Sequence, residues 1–212
     1  MTKESKYHIE NNRVIFYEPF LDLQSVLRNG ASSVTDVTFE KGIGMFNGTS
    51  SYINIGNPVP EGSSFTIVAR VKVSSSATGV NTLIGNESGG PPEGSFKLIY
   101  SVGTGWLAYI IDSGVGSEVA TNTAETIGEW AFVVYKYDQS TRKCAVSVNN
   151  NAFVETAAIA KDWIYPTVYY PRIGANRRQN NGNNEQYFEG DIDLFTIYNY
   201  ALTAEECWNL AH

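Results

Sequence analysis

Short runs of alternating apolar and polar residues, separated by turn-forming clusters, constrain the fold of this chain more than any other sequence feature. From Phe65 to Val73 every second residue is apolar, which is the period of a β-strand with one buried face. Clusters rich in Gly, Pro, Asn or Ser separate such runs, as at 57–62 and 87–94. Helical periodicity is nearly absent, so the pattern predicts an all-β fold of many short strands.

The strongest strand predictions share a high content of Val, Ile and aromatic residues. They fall at 51–55, 65–73, 96–101, 106–112, 130–138, 143–149 and 191–198, with a further strand at 14–17. Both faces of the run 130–138 are largely apolar, which favours a strand near the middle of its sheet. Thr203 and Glu206 form a capping-box pattern, which predicts one short helix at 203–210.

Length, charge and cysteine content narrow the class of protein. A chain of 212 residues with 42% hydrophobic and 17% charged residues is able to bury one large core. A net charge of -7 argues against a nucleic-acid-binding surface. No apolar run is long enough for a membrane helix, and no signal-peptide core follows Met1. We therefore expect no membrane insertion, and a cytoplasmic or virion location or release from the cell without a signal peptide. Cys144 and Cys207 are interpreted as two buried free thiols, with a disulfide between them as the alternative.

Several motifs occur in the order known from one family. The segments at 46–55, 65–72, 129–138 and 145–150 resemble its Phe-x-Gly-x-x-Ser-Tyr element, its second strand, its Trp-led central strand and its Asn-Gly hairpin. The segment 188–206 resembles its ending, Phe-x-Gly-x-Ile-Asp followed by Ile-Tyr-x-x-Ala-Leu-Ser-x-x-Glu, nearly position for position. From about Phe46 onward the chain is thus similar to the laminin G-like or concanavalin A-like lectin/glucanase family, in its bacterial and phage form.

This resemblance implies a two-sheet antiparallel jelly-roll sandwich with one short C-terminal helix. We expect one domain over residues 1–212, in which 1–40 form an N-terminal strand and arm and 41–212 form the jelly-roll core. It also implies ligand binding.

Asp193 is the candidate metal ligand. Strict alternation places its side chain with Phe195 and Ile197, and a buried carboxylate requires a partner. The resemblance implies a structural Ca²⁺ there, with Asn47 and Gly48 as further oxygen ligands. A hydrogen bond to a neighbouring loop is the alternative.

Candidate catalytic groups are scarce. The family's glucanases carry a Glu-x-Asp-x-x-Glu strand with paired carboxylates, whereas 189–193 lacks the second Glu. The two histidines, His8 and His212, lie at opposite ends of the chain. We therefore expect no enzymatic activity, with a glycoside hydrolase or lyase as an unfavoured alternative.

Glycan binding needs aromatic faces for sugar rings and amide or carboxylate groups for hydroxyls. Three segments supply these groups: an aromatic cluster at 162–170, a second cluster of Trp106 and Tyr109, and an Asn-rich loop at 176–184. The candidate ligand-binding residues are Trp163, Tyr165, Tyr169, Tyr170, Asn176, Trp106 and Tyr109. Ordinary core packing is the alternative for each aromatic residue.

The sequence therefore predicts a carbohydrate-binding or surface-adhesion module of lectin type. Its expected partner is a glycan or a cell-surface protein. A capsid decoration or tail protein of a virion, held by protein contacts in a homo-oligomer, is the alternative.

Overall fold

The computed structural model describes residues 13–87, 95–111, 117–164, 170–178 and 184–211. Within these residues the chain forms seventeen strands and two short helices, α1 (Leu23–Arg28) and α2 (Ala204–Ala211). The strands make two antiparallel sheets that face each other as an open sandwich, with one parallel pairing in the second sheet. This confirms the predicted all-β jelly-roll class.

The first sheet contains eight strands. They are β1 (Val14–Glu18), β3 (Thr38–Glu40), β4 (Ile43–Asn47), β6 (Phe65–Val73), β11 (Trp130–Asp138), β12 (Lys143–Val148), β13 (Val154–Glu155) and β17 (Glu189–Tyr198). The order across the sheet is β13-β12-β11-β6-β17-β4-β3, and β1 also pairs with β17. The strand β11 has a neighbour on each side, as its apolar faces predicted.

The second sheet contains nine strands. They are β2 (Ser33–Thr35), β5 (Tyr52–Asn54), β7 (Val80–Glu87), β8 (Ser95–Ser101), β9 (Gly105–Ile111), β10 (Ser117–Asn122), β14 (Arg172–Ile173), β15 (Asn176–Arg178) and β16 (Asn184–Glu185). The order is β10-β9-β8-β7-β14-β5-β2, while β15 pairs with β7 and β16.

The main core lies between the two sheets, where alternating residues of each strand meet. The predicted inner set of β6 is confirmed, because all five alternate residues from Phe65 to Val73 belong to this core. The facing strands β8 and β9 contribute Phe96 and Trp106, both fully buried.

A second, smaller apolar cluster lies on the outer side of the first sheet, beneath α2. Val68, Leu194, Leu202 and Leu210 are buried in it. The helix starts as predicted: the Glu206 amide donates to Thr203 Oγ1 at 3.2 Å, and the Thr203 amide donates to Glu206 Oε2 at 2.7 Å. This reciprocal cap satisfies two amides that the helix leaves without intrahelical acceptors.

The helix α1 was not predicted. Asp22 and Ser25 form its reciprocal cap, with the Ser25 amide 2.7 Å from Asp22 Oδ1. Residues 14–40 belong to the predicted N-terminal strand and arm at 1–40, and they supply β1 and β3 to the first sheet and β2 to the second. They also bury Phe20 and Val26 in the main core.

The strand β17 departs from strict alternation at Asp193. Ile192 pairs with Val71 and Leu194 pairs with the adjacent Arg70, so Asp193 is the extra residue of a β-bulge. The bulge shifts the side-chain pattern, and Ile192 therefore lies in the main core with Phe195 and Ile197. The predicted grouping of Asp193 with Phe195 and Ile197 was wrong, since alternation does not reveal a bulge.

Gly190 in the Phe188-Glu189-Gly190 motif has φ of +147°. A Cβ atom there would collide with the carbonyl oxygen of Lys72 on the neighbouring strand β6. The motif therefore needs glycine, because only glycine accepts both this backbone conformation and this close approach.

The two cysteines are free and buried, as interpreted from the sequence. Burial raises the pKa of Cys144 to about 12 and that of Cys207 to about 11. Both thiols therefore stay protonated at neutral pH and are poor nucleophiles. Among the described residues no helix has the length and apolar character needed to span a membrane.

Candidate functional site

A row of paired residues crosses the outer face of the second sheet, which is the face turned away from the main core. Val119 pairs with Tyr109, Tyr109 with Lys97, and Lys97 with Gly85. Beyond the centre of the sheet, Gly85 pairs with Asn176, which pairs with Glu185. Paired residues of neighbouring strands point to the same face of a sheet. These six residues therefore form one row on the outer face, here called the Tyr109 row.

The Tyr109 row is recessed at its centre. Val119 at the edge strand is exposed and Tyr109 is half-buried, whereas Lys97 and Asn176 are buried although they lie on the outer face. A Cβ atom at Gly85 would lie 2.6 Å from Lys97 Cβ, so glycine provides the space that the lysine side chain occupies.

The Lys97 ammonium nitrogen lies 4.5 Å from the centre of the Tyr109 ring. This cation–π contact fixes the ring and leaves it half-buried at the edge of the recess. Across the sandwich, Tyr135 Oη donates to the Tyr109 carbonyl oxygen at 2.7 Å. The backbone of β9 is thereby held against β11, so the Tyr109 ring stands on a rigid support.

A second cation–π pair lies on the same face. The Arg172 guanidinium carbon is 4.3 Å from the centre of the Tyr52 ring, on the adjacent strands β14 and β5. Lys97 and Arg172 place two cations on this face, and Glu185 of the Tyr109 row places a carboxylate there.

Two of the seven predicted ligand-binding residues lie in this row, but Lys97 and Gly85 separate them. Tyr109 is half-buried, whereas Asn176 is fully buried and its amide donates to Gln186 Oε1 at 3.3 Å. The row also contains Lys97, which sequence reasoning missed. Its outward direction follows from the alternation of Phe96-Lys97-Leu98, but its place beside Tyr109 depends on strand pairing.

Trp163 and Trp106 were predicted as ligand residues, and the structure corrects both. Trp163 is fully buried, with ring centroids 5.6 Å from Phe65 and 5.4 Å from Phe96. Trp106 is also fully buried, and its indole donates to Thr126 Oγ1 at 3.0 Å. Rings of this size fill the space between the sheets, so neither presents a face to a sugar.

The other three aromatic candidates belong to the segment that follows Trp163. Tyr170 is exposed. Tyr165 and Tyr169 lie outside the described residues.

Asp193, Asn47 and Gly48 do not come together as a calcium site. The Asp193 carboxylate is buried and forms an ion pair with the Arg70 guanidinium. Asn47 is paired with Glu189, four residues before Asp193 on β17, and Gly48 follows it. Asn47 Oδ1 accepts the amides of Thr49, Ser50 and Ser51 at 2.9 to 3.1 Å, which occupies it as a turn cap. The three residues therefore do not fit one hard-cation site, and the described residues contain no group of three His, Cys, Asp or Glu side chains suited to a metal.

Glu189 and Asp191 line a separate polar groove of about 400 Å³ on the outer side of the first sheet, together with Lys72 and Asn47. Glu189 Oε1 accepts a hydrogen bond from Ser76 Oγ at 2.5 Å. Burial raises the pKa of Asp191, and the Lys72 ammonium opposes this shift. The serine hydroxyl bonds to Glu189 and the lysine charge acts on Asp191, which is typical of a structural polar cluster.

The profile described as the concanavalin A-like lectin/glucanases superfamily matches residues 47–207. A search of curated protein sequences found no match. Domain 4 of AbnA, a GH43 extracellular arabinanase from Geobacillus stearothermophilus solved with arabinotriose, is 18% identical with a TM-score of 0.64. The superposition covers 94% of this chain and 98% of that domain.

Two sialidase structures are also similar. The CBM40 of the Ruminococcus gnavus IT-sialidase, bound to α2,3 sialyllactose, is 18% identical with a TM-score of 0.57, covering 71% of this chain and 83% of that one. The leech intramolecular trans-sialidase is 20% identical with a TM-score of 0.58. It covers 71% of this chain, while this chain spans only 24% of the trans-sialidase. At such identities the likenesses establish the fold alone.

Proposed function

This chain belongs to the concanavalin A-like lectin/glucanases superfamily, and we propose that it is a non-catalytic module that binds carbohydrate on the outer face of its second sheet. The observation that carries the proposal is the recessed Tyr109 row. It combines the half-buried Tyr109 ring with the Lys97 ammonium beside it on a rigid sheet.

The chemistry of the row suits a sugar. The apolar face of a pyranose or furanose ring packs on an aromatic side chain, and its hydroxyls need directed polar groups. Tyr109 supplies the ring, and Val119 extends the apolar surface toward the sheet edge. The cations Lys97 and Arg172 on this face favour hydroxyl-rich ligands and, above all, ligands that carry a carboxylate.

Two of the similar structures support this proposal, because each was solved with a bound saccharide. The arabinanase domain was solved with arabinotriose and the CBM40 with sialyllactose, and both have this sandwich. No specific feature of the described residues favours the virion alternative over glycan binding.

A glycan array with the wild-type chain and Tyr109→Ala tests the proposal. We expect at least one glycan to bind the wild type and to bind Tyr109→Ala roughly ten-fold or more weakly, since the lost ring contact is worth about 1.5 kcal/mol. Running the array with and without EDTA tests the predicted calcium dependence in the same measurement.

Tyr200→Ala is the matched control. Tyr200 is also half-buried beneath a cation, with the Arg13 guanidinium 4.5 Å from its ring centre, but it lies on the side of the first sheet. Equal losses in both variants would contradict the proposed face. Release of reducing sugar from a bound polysaccharide would contradict the non-catalytic assignment.

A further inference from the structure

Trp208 is a large aromatic residue on the outward side of α2, where neighbouring residues are polar. Cys207 and Leu210 turn inward, while the outward positions Glu205 and Asn209 are polar. Trp208 is on this outward side and is 53% exposed, whereas Trp106 and Trp163 are fully buried. Helix packing does not need an indole there, since an outward position contributes little to the core.

A small pocket of about 170 Å³ opens beside this indole, between α2 and the turn that joins β12 to β13. We call it the helix pocket. Its principal lining residues are Ser147, Asn150, Asn151, Phe153, Ala204 and Trp208. Ala204 lies four residues before Trp208, on the turn that a helical side chain covers, and its small side chain leaves the pocket open under the indole.

The opposite wall is preorganised. Asn149 and Asn150 have φ of +51° and +60°, a turn conformation that asparagine tolerates better than most residues. The Asn151 amide donates to the Val148 carbonyl at 3.1 Å, and its carbonyl accepts Ser147 Oγ at 2.6 Å. These contacts hold the exposed Asn151 side chain at the rim of the pocket.

We infer that the helix pocket is a second saccharide-binding site, in which one sugar ring stacks on Trp208 and its hydroxyls bond to the carboxamides of Asn150 and Asn151. An aromatic face and two amides are groups that a sugar ring requires. The volume is below the roughly 300 to 1,000 Å³ of pockets for drug-sized ligands, so the site takes a single terminal ring. The inference rests on the proposed function for its ligand class and shares none of its residues.

The test is an NMR titration that follows the indole N–H signals of the tryptophans, with the Trp208 signal assigned from Trp208→Phe. The ligands are methyl β-galactoside, methyl β-glucoside, N-acetylglucosamine, arabinotriose and 3′-sialyllactose. The protein is the Tyr109→Ala variant, so that binding at the Tyr109 row does not contribute. We expect at least one ligand to shift the Trp208 signal, and Trp208→Ala to weaken its binding about ten-fold.

Ala204→Met is the matched variant, because it fills the pocket and leaves the indole in place. It should abolish the Trp208 shift while the circular dichroism and melting temperature stay unchanged. A Trp208 signal that none of the ligands moves, or a shift that persists in Ala204→Met, overturns the inference. If Trp208 is unmoved while wild-type protein still binds glycan through Tyr109, only the second site fails. A Trp208 signal that changes with protein concentration alone would assign the surface to a second copy of the chain and likewise overturn it.

Discussion

The two outer faces of the sandwich have the same strand alternation, but the C-terminal helix covers only one of them. On the first sheet, the outward side chains Val68, Leu194 and Tyr198 are buried beneath α2 and form a second apolar cluster. On the second sheet, the described residues include no helix above the Tyr109 row, where Val119 is 42% exposed. The covered face thus contributes to stability, whereas the open face is where we propose that the ligand binds.

The largest effect is expected from Trp163, which the sequence placed among the ligand residues and the structure places in the main core. Trp163→Ala should lower the free energy of unfolding by about 3 to 5 kcal/mol, because it opens a cavity between Phe65 and Phe96. Urea denaturation measures the loss. Trp163→Phe, which keeps an aromatic ring, should recover part of it. A variant that kept full stability and lost only glycan binding would return Trp163 to the ligand site.

The next effect compares the two faces directly. Leu202→Ala on the covered face should cost about 2 to 3 kcal/mol, since Leu202 is buried between α2 and the first sheet. Val119→Ala on the open face should change stability by less than about 0.5 kcal/mol. Equal losses by thermal denaturation would show that the two faces do not differ in this way.

The ion pair at the bulge should have a smaller effect. The side chain of Asp193 is 6% exposed and that of Arg70 is 47% exposed, so solvent screens the pair in part. Arg70→Met removes the charged partner of a buried carboxylate and should cost about 1 to 2 kcal/mol, less than for a fully buried pair. Adding Asp193→Asn should restore part of the loss in a double-mutant cycle. Simple additivity of the two changes would contradict a direct coupling.

The smallest effect concerns Glu18, a buried carboxylate at the end of β1. Burial raises its pKa, although Phe20 N–H, Asn29 Nδ2 and Ser25 Oγ all donate to it. Since the folded state binds this proton more tightly than the unfolded chain, the contribution of Glu18 to stability is fully present below the unfolded pKa near 4.5. It is lost as the pH rises through the raised folded pKa.

Glu18→Gln should therefore gain stability relative to the wild type as the pH rises from about 4 to 7. Melting temperatures across this pH range measure the difference. Glu40→Gln, at an exposed glutamate beside Lys41, controls for the loss of one negative charge. A constant difference between wild type and Glu18→Gln at every pH would contradict the raised pKa.

Local patterns predicted local structure well. The run from Phe65 to Val73 and the Trp130 strand have the predicted bounds. The Thr203–Glu206 pair begins α2 as predicted. These features depend on side-chain period and on neighbours within four residues, which the sequence contains in full.

Features that depend on pairing between distant strands were not predicted. The bulge at Asp193 exists only relative to β6, and the partner of Asp193 is therefore Arg70 and not the predicted calcium set. The helix α1 was missed although Asp22 and Ser25 carry its cap, because six residues are too few for a periodic signal.

By itself the sequence determined the class of fold, the family, the main strands and the closing helix, because alternation, turn chemistry and capping act over a few residues. The tertiary structure decided which aromatic residues are core and which are surface. Trp163 and Tyr109 both lie in aromatic-rich segments, yet Trp163 fills the space between the sheets and Tyr109 faces outward beside Lys97. That difference is set by strand register and by what covers each face, and both arise only when distant parts of the chain pack together.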